Sequence, residues 1–239
     1  MGPRLYLIES RKKRKKSPIP LILQKKLAGG TKLFFARKKD IDYIDSLKEI
    51  LSSEGSCLLP ANNLFLAVDQ WKTLNYMVDK LEHKKIYKKG AQAPVSYKAS
   101  KIKLPKRNAV QDKVIYDVVT SIQMTSLVRA LTGINHFSVD RCESHLCEEG
   151  DFISIDWTKG NFGGSHYVFC LLLDGNYTGG QHVIYKPDRE ENIYSPKSGD
   201  IVISSCDCFH EVKPVMSGER KHVFISIQPL IRIFPDREY

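Results

Sequence analysis

Between Pro196 and Ile227 the chain alternates tight-turn residues with short apolar runs, a spacing that restricts this part to short β-strands joined by turns. Pro196-Lys197-Ser198-Gly199-Asp200 reads as a turn and Ile201-Val202-Ile203 as a strand. His210 to Arg220 spans a second turn, which leads into the strand Val223-Phe224-Ile225-Ser226-Ile227. This reading predicts that His210 and Arg220 face each other across adjacent strands. A neutral imidazole suits Fe(II), and the planar guanidinium fork suits a carboxylate held through two hydrogen bonds. A histidine taken alone is more often a structural polar residue, so the argument needs its neighbours.

From Phe137 onward the whole pattern is one of short strands between Gly, Asn, Asp and Pro turns, as in a sandwich or barrel. The preceding region reads mainly helical. Ile41, Ile44, Leu47, Ile50 and Leu51 form one stripe of a helix that begins near Asp40 and stops by Gly55. Val68, Trp71, Leu74, Val78 and Leu81 mark a second helix. Val110 to Leu131 is a helix or a broken pair with Gly133 as its C-cap. The Lys, Pro, Gly and Ala content between Tyr87 and Arg107 predicts a loop, long enough to cover a substrate. Three regions follow: a basic N-terminal segment at 1–35, a mainly helical support region at 36–133 with a basic loop at 84–107, and a β domain at 134–239.

In order and spacing, Pro196-x-x-Gly199-Asp200, then His210-x-Val212-x-Pro214-Val215, then Gly218-x-Arg220 resembles the C-terminal half of the Fe(II)- and 2-oxoglutarate-dependent dioxygenases, in the branch that includes prolyl hydroxylases. Leu131-Thr132-Gly133-Ile134 and Tyr177-Thr178-Gly179-Gly180 match the family upstream, so the resemblance runs over residues 126 to 230. It implies a double-stranded β-helix, a jelly-roll cup packed against the N-terminal helices in an α+β chain. It also implies Fe(II) and 2-oxoglutarate as cofactors and dioxygen as co-substrate. Asp156 and His210 would be metal ligands and Arg220 the anchor of the keto acid's distal carboxylate. The reaction implied is decarboxylation to succinate coupled to hydroxylation of an unknown substrate, with a protein side chain in keeping with the prolyl-hydroxylase branch.

One departure is decisive. Where the family has His-x-Asp, this chain reads Ser154-Ile155-Asp156-Trp157-Thr158, without the histidine. Counting back from Thr158-Lys159-Gly160, Ser154 takes the histidine's place and Asp156 keeps the carboxylate's. Counting forward from Gly150, Asp156 takes the histidine's place and Thr158 the carboxylate's. Strand alternation puts Ser154, Asp156 and Thr158 on one face in either register. The third ligand is therefore open among Ser154, His166, His182 and Thr158, with His222, on one strand face with Arg220, a further imidazole. The alternative to an oxygenase is a catalytically inactive jelly-roll that lost its first metal-ligand histidine and serves as a binding or scaffold protein.

Composition excludes other classes. With 42% hydrophobic residues the chain can bury a proper core, and its longest apolar run, Tyr167 to Leu173, has strand rather than membrane-span length. Met1 to Ser10 leads into Arg11-Lys12-Lys13-Arg14-Lys15-Lys16 without the apolar region of a secretory signal. An intracellular protein, cytoplasmic or nuclear, is expected. The six cysteines lack zinc or disulfide spacing and are read as reduced thiols. Residues 1 to 107 hold 25 Lys and Arg against 9 Asp and Glu, while the remainder holds 12 against 18. A basic N-terminal half of this kind would engage an anionic partner, nucleic acid or acidic protein, rather than a membrane.

Overall fold

In a computed structural model of the protein, the structure describes residues 38–61, 66, 68–88, 94–102, 110–154, 166–187 and 190–230. The basic segment 1–35, residues 103–107 and the candidates Asp156 and Thr158 lie outside the described residues.

The helices form where the 3.6-residue apolar stripes place them. They are α1 (Lys38–Glu54), α2 (Val68–Val78), α3 (Val110–Val119) and α4 (Ile122–Thr132). Ile44, Leu47 and Leu51 of α1 are buried, whereas Ile50 stays exposed at the stripe's edge. The long pattern from Val110 breaks into two helices at Thr120-Ser121. The Ser121 hydroxyl accepts from the Met124 N–H and so caps α4, which ends where Gly133 adopts φ 73°. Among the described residues no helix is long and apolar enough to cross a membrane.

Among the described residues, thirteen strands form: β1 (Ser56–Leu59), β2 (Lys84–Lys88), β3 (Val95–Lys101), β4 (Phe137–Cys147), β5 (Phe152–Ile153), β6 (Tyr167–Leu172), β7 (Tyr177–Gly179), β8 (His182–Tyr185), β9 (Glu191–Tyr194), β10 (Ile201–Ser205), β11 (Phe209–Val212), β12 (Val215–Gly218) and β13 (Arg220–Pro229). Eleven form one antiparallel sheet in the order β1-β10-β6-β13-β4-β3-β5-β11-β8-β9, with β2 added to β3; β12 and β7 form a separate pair. The sheet curls so that its ends, β1 and β9, are tied by side chains. Asn192 donates to the Ser56 hydroxyl at 3.0 Å and to the Glu54 carbonyl, while the Tyr194 and Ser56 hydroxyls share a bond of 3.0 Å. The result is a nearly closed jelly-roll, the double-stranded β-helix that the resemblance implied.

Alternation divides each strand between two environments. Phe169, Leu171, Ile201, Ile203, Val223, Ile225 and Ile227 face outward and pack with α1 to α4 in the main apolar core. Their neighbours Cys170, Leu172 and Val202 face inward, joining Ile184 in a smaller cluster at the floor of the cup. Burying an aliphatic side chain stabilises by about 1.5–3 kcal/mol. The large helix-facing core is therefore the scaffold, and the interior is left for polar groups.

Three expectations change. The region read as mainly helical contributes β1, β2 and β3, and the stretch read as a loop between Tyr87 and Arg107 contains β3. Tertiary pairing overrides composition here, since β3 is held by β4 on one side and by β2 on the other, with β5 continuing the first side at Val95 and Ser96. His210 and Arg220 are likewise not on adjacent strands. β11 pairs with β5 and β8, and β13 with β4 and β6, because the connection through β12 crosses from one wall of the cup to the other.

That crossing depends on Gly218, at φ 78°, where a Cβ would overlap the Asn176 carbonyl oxygen. The next residue but one is Arg220. A Gly218→Ala substitution meets both the left-handed backbone penalty, roughly 1–2 kcal/mol, and this overlap. It is expected to destabilise by more than about 2 kcal/mol in urea unfolding.

Candidate metal and keto-acid site

The cup's inner wall is polar where a barrel interior would ordinarily be apolar. Tyr97 enters from β3, Arg141, Glu143, His145 and Cys147 from β4, Arg220, His222 and Phe224 from β13, His182 from β8 and His210 from β11. Register fixes these neighbours. On β13 and β4, Arg220 lies opposite Cys147, His222 opposite His145, and Phe224 opposite Glu143. On the facing wall, His210 lies opposite Ile184 and His182 opposite Val212.

Arg220 is fully buried, with no solvent exposure. Its Nη1 donates to His222 Nδ1 at 2.7 Å, while Nε and Nη2 have no hydrogen-bond partner among the described residues. The Cys170 thiol and the Tyr177 phenol lie at the edge of hydrogen-bonding reach of the guanidinium and feel its charge, yet neither supplies an anion. Burial pushes the Cys170 thiol up to about 11 and raises Tyr177 as well, and the Tyr177 hydroxyl donates to the Pro196 carbonyl. A buried guanidinium with two donors unspent is costly unless an anion completes it. A carboxylate accepting from both is the group that fits this fork. Gly180, at φ 60°, keeps the space open, because a Cβ there would come within 2.9 Å of Arg220 Cδ.

Four histidines surround this space. His145 and His222 lie edge to face with ring centroids 4.9 Å apart, and His182 and His210 are perpendicular at 6.0 Å. Phe224 separates the pairs, its ring 5.8 Å from His145 and 5.6 Å from His210. Burial holds His182 and His222 well below the ordinary imidazole range, and the Arg220 charge pushes them further in that direction. Both are therefore neutral near pH 7, the state in which imidazole binds a metal ion. Since Arg220 donates to Nδ1, the His222 proton resides on Nε2.

Of the residues singled out in the sequence, the structure brings together His210, His182, His222 and Arg220. It places Ser154 elsewhere, because Ile153 takes the inward position on β5 and the Ser154 hydroxyl donates to the Pro94 carbonyl at 2.5 Å. His166 sits exposed at the entry to β6, where its carbonyl accepts from Cys206 N–H, and is not part of the cup wall. Asp200 is structural: its carboxylate accepts from the Ala61 and Lys197 N–H groups and closes the turn before β10. In the Cys206-x-Cys208 pair, the Cys208 thiol donates to the Gly55 carbonyl and burial pushes the Cys206 thiol up to about 12. A larger cavity of about 440 Å³ lies outside the cup below the end of α1, where Lys186 pairs with Glu54 and Glu190. Among the described residues no group of three or more His, Cys, Asp or Glu side chains could hold a metal ion.

Sequence reasoning missed His145 and Glu143. Their signal was present, because Arg141, Glu143 and His145 recur at every second position and so place three ionisable side chains in a row on one face of β4. Glu143 accepts from Arg141 at 2.8 Å and from His145 Nε2 at 3.1 Å. Burial alone would raise its carboxyl, but these two hydrogen bonds and the Arg141 charge outweigh it and hold the group at about 2. A carboxyl depressed below its unfolded value of about 4.3 stabilises fully above that pH and loses the effect as pH falls towards 2. Glu143→Gln is expected to lower stability at pH 7 by on the order of 1–3 kcal/mol, with the gap to the unmodified protein closing between pH 4.5 and pH 2 in urea titrations.

No family model and no curated protein matches the chain. Solved structures do. An oxidoreductase of the 2OG-Fe(II) oxygenase family from Burkholderia pseudomallei superposes with a TM-score of 0.70 at 16% identity, over 77% of this chain and 90% of that one. A Pseudomonas putida prolyl-4-hydroxylase gives 0.57 at 17% identity, over 78% and 99%. A prolyl hydroxylase from Trichoplax adhaerens, in complex with a hypoxia inducible factor peptide fragment, gives 0.60 at 15% identity, over 79% and 90%. At these identities the likeness establishes the fold: the chain is built on the double-stranded β-helix shared by 2-oxoglutarate- and Fe(II)-dependent oxygenases, prolyl hydroxylases among them.

Proposed function

We propose that this protein is an Fe(II)- and 2-oxoglutarate-dependent oxygenase that hydroxylates a substrate admitted at the mouth of the cup. The observation that carries this reading is Arg220, a fully buried guanidinium whose Nε and Nη2 have no partner among the described residues. In this reading the distal carboxylate of the keto acid accepts from those two N–H groups. His222 holds the third corner of the fork and so fixes the direction in which it points. His210 supplies an imidazole to the metal, and Asp156, which lies outside the described residues, supplies the carboxylate. When bound, the metal with its keto acid provides the oxidising chemistry. The chain's own share is orientation and exclusion of water, for which Phe224, Val212 and Ile153 form the apolar part of the wall. A protein side chain as substrate accords with the prolyl hydroxylases among the similar folds.

The second reading, a binding module without turnover, is favoured by one observation: Ser154, at the position of the absent histidine in one register, spends its hydroxyl on Pro94. Both readings keep the carboxylate anchor, so the anchor is tested first. Arg220→Gln is expected to weaken 2-oxoglutarate binding by about 2–4 kcal/mol, read by titration calorimetry on protein whose unfolding confirms a retained fold. Unchanged affinity would remove the anchor from both readings. Gly180→Ala, whose Cβ crowds Arg220 Cδ, is expected to weaken the same binding by displacing the fork while leaving metal affinity intact.

A further inference from the structure

We propose that the β2–β3 hairpin docks an extended polypeptide rich in Asp and Glu, which adds to the open edge of β2 as a further strand beside the cup. The inference rests on the oxygenase reading only in calling that polypeptide the substrate; docking itself needs neither metal nor keto acid. Residues 84–107 hold nine Lys and Arg and no Asp or Glu. The fold turns this basic run into β2 and β3, and among the described residues β2 pairs with β3 alone. The other edge of β2 therefore presents the N–H and C=O groups of alternate residues over about 17 Å. Such an array is what an extended peptide recognises when it joins a sheet.

Charge selects the occupant. Tyr97 lines the cup, its ring 4.9 Å from His145, so strand alternation gives Ala99 and Lys101 of β3 the same cup-side face. On β2, Ile86 lies opposite Tyr97 and Lys84 opposite Ala99, which extends that face to the edge. Lys85, Tyr87 and Lys98 take the outer face, where Asp151 holds Lys85 and Glu148 holds Lys98, each at 2.5 Å. On the cup side, Lys84 and Lys101 are exposed and have no partner among the described residues. Glu143, the carboxylate opposite Lys101, is engaged by Arg141 and His145. Lysine on an edge strand ordinarily keeps it from pairing with other chains. Here a basic strand would be repelled and a neutral one would desolvate the two ammonium groups without return, whereas a strand bearing carboxylates pairs with them. Tyr87, 63% exposed on the outer face, gives the added strand an aromatic surface to pack on.

The probe is a labelled peptide of six Glu-Thr repeats, titrated by fluorescence anisotropy into the full-length protein without metal or keto acid. Its binding is expected to weaken as salt rises, to slow hydrogen exchange at β2 amides, and to fall at least about 10-fold when Lys84→Glu and Lys101→Glu are combined. The same peptide N-methylated at its four central residues keeps every charge but lacks the donors for strand pairing, and is expected not to bind. Methylated peptide that binds equally well, or β2 exchange that the peptide leaves unchanged, overturns strand addition and needs no variant to fold. A Lys-Thr peptide that binds as tightly overturns the charge argument. An oligothymidylate that binds more tightly than the peptide assigns the face to nucleic acid, and dimerisation of the protein alone that protects the same amides assigns it to a second copy; each overturns the proposal. Peptide binding by protein that takes up no keto acid supports the docking site while removing the oxygenase reading, so the two fail separately.

Discussion

The interior of this protein is organised around one desolvated charge. Arg220 enters β13 immediately after the Gly218 crossing, at zero exposure, and its charge is not balanced by any carboxylate hydrogen-bonded to it among the described residues. Moving a cation out of water costs several kcal/mol even after relaxation, so a fold that keeps it there must offset the loss elsewhere. The offset lies on the other face of the same sheet, where β6, β10 and β13 pack Phe169, Leu171, Ile203, Val223 and Ile225 against four helices. Helix-side packing sets the strand positions rigidly, and the strand positions hold the cup's polar residues in a geometry that the interior alone would not maintain.

Polar partners then divide the wall into a structural and a ligand-facing part. On β4, Glu143 accepts from both Arg141 and His145, and it remains ionised because these neighbours stabilise the anion more than burial disfavours it. The Nδ1 atoms of His145 and His182 and the Nε and Nη2 of Arg220 have no hydrogen-bond partner among the described residues. Hydrogen-bonded groups specify the cup, whereas the unpartnered guanidinium nitrogens are the feature on which the proposed carboxylate anchor rests.

Much of this was legible in the chain. Turn residues spaced every few positions after Phe137 gave the β architecture, and the Gly218-x-Arg220 and His210-x-Val212 patterns identified both walls. Other elements were hidden for physical reasons. β1 is four residues long, too short to show a period, and β3 interleaves lysine and serine with Val95, Tyr97 and Ala99, so that composition masked its alternation. The adjacency of His210 and Arg220 was misread because a short connection suggests a hairpin, while β12 carries the chain across the cup instead. Spacing could not tell which of His182 and His166 faces inward, since only strand pairing decides it.

The claim that joins these observations is that one cup holds a metal ion and a keto acid side by side. Its most direct test is an anaerobic titration of the purified protein with Fe(II) followed by 2-oxoglutarate, with the visible spectrum recorded throughout. A weak charge-transfer band that appears only when both are present, and that is lost in Arg220→Gln, is the result this account predicts. Iron and keto acid that bind without the band, or no iron bound at all, would contradict it.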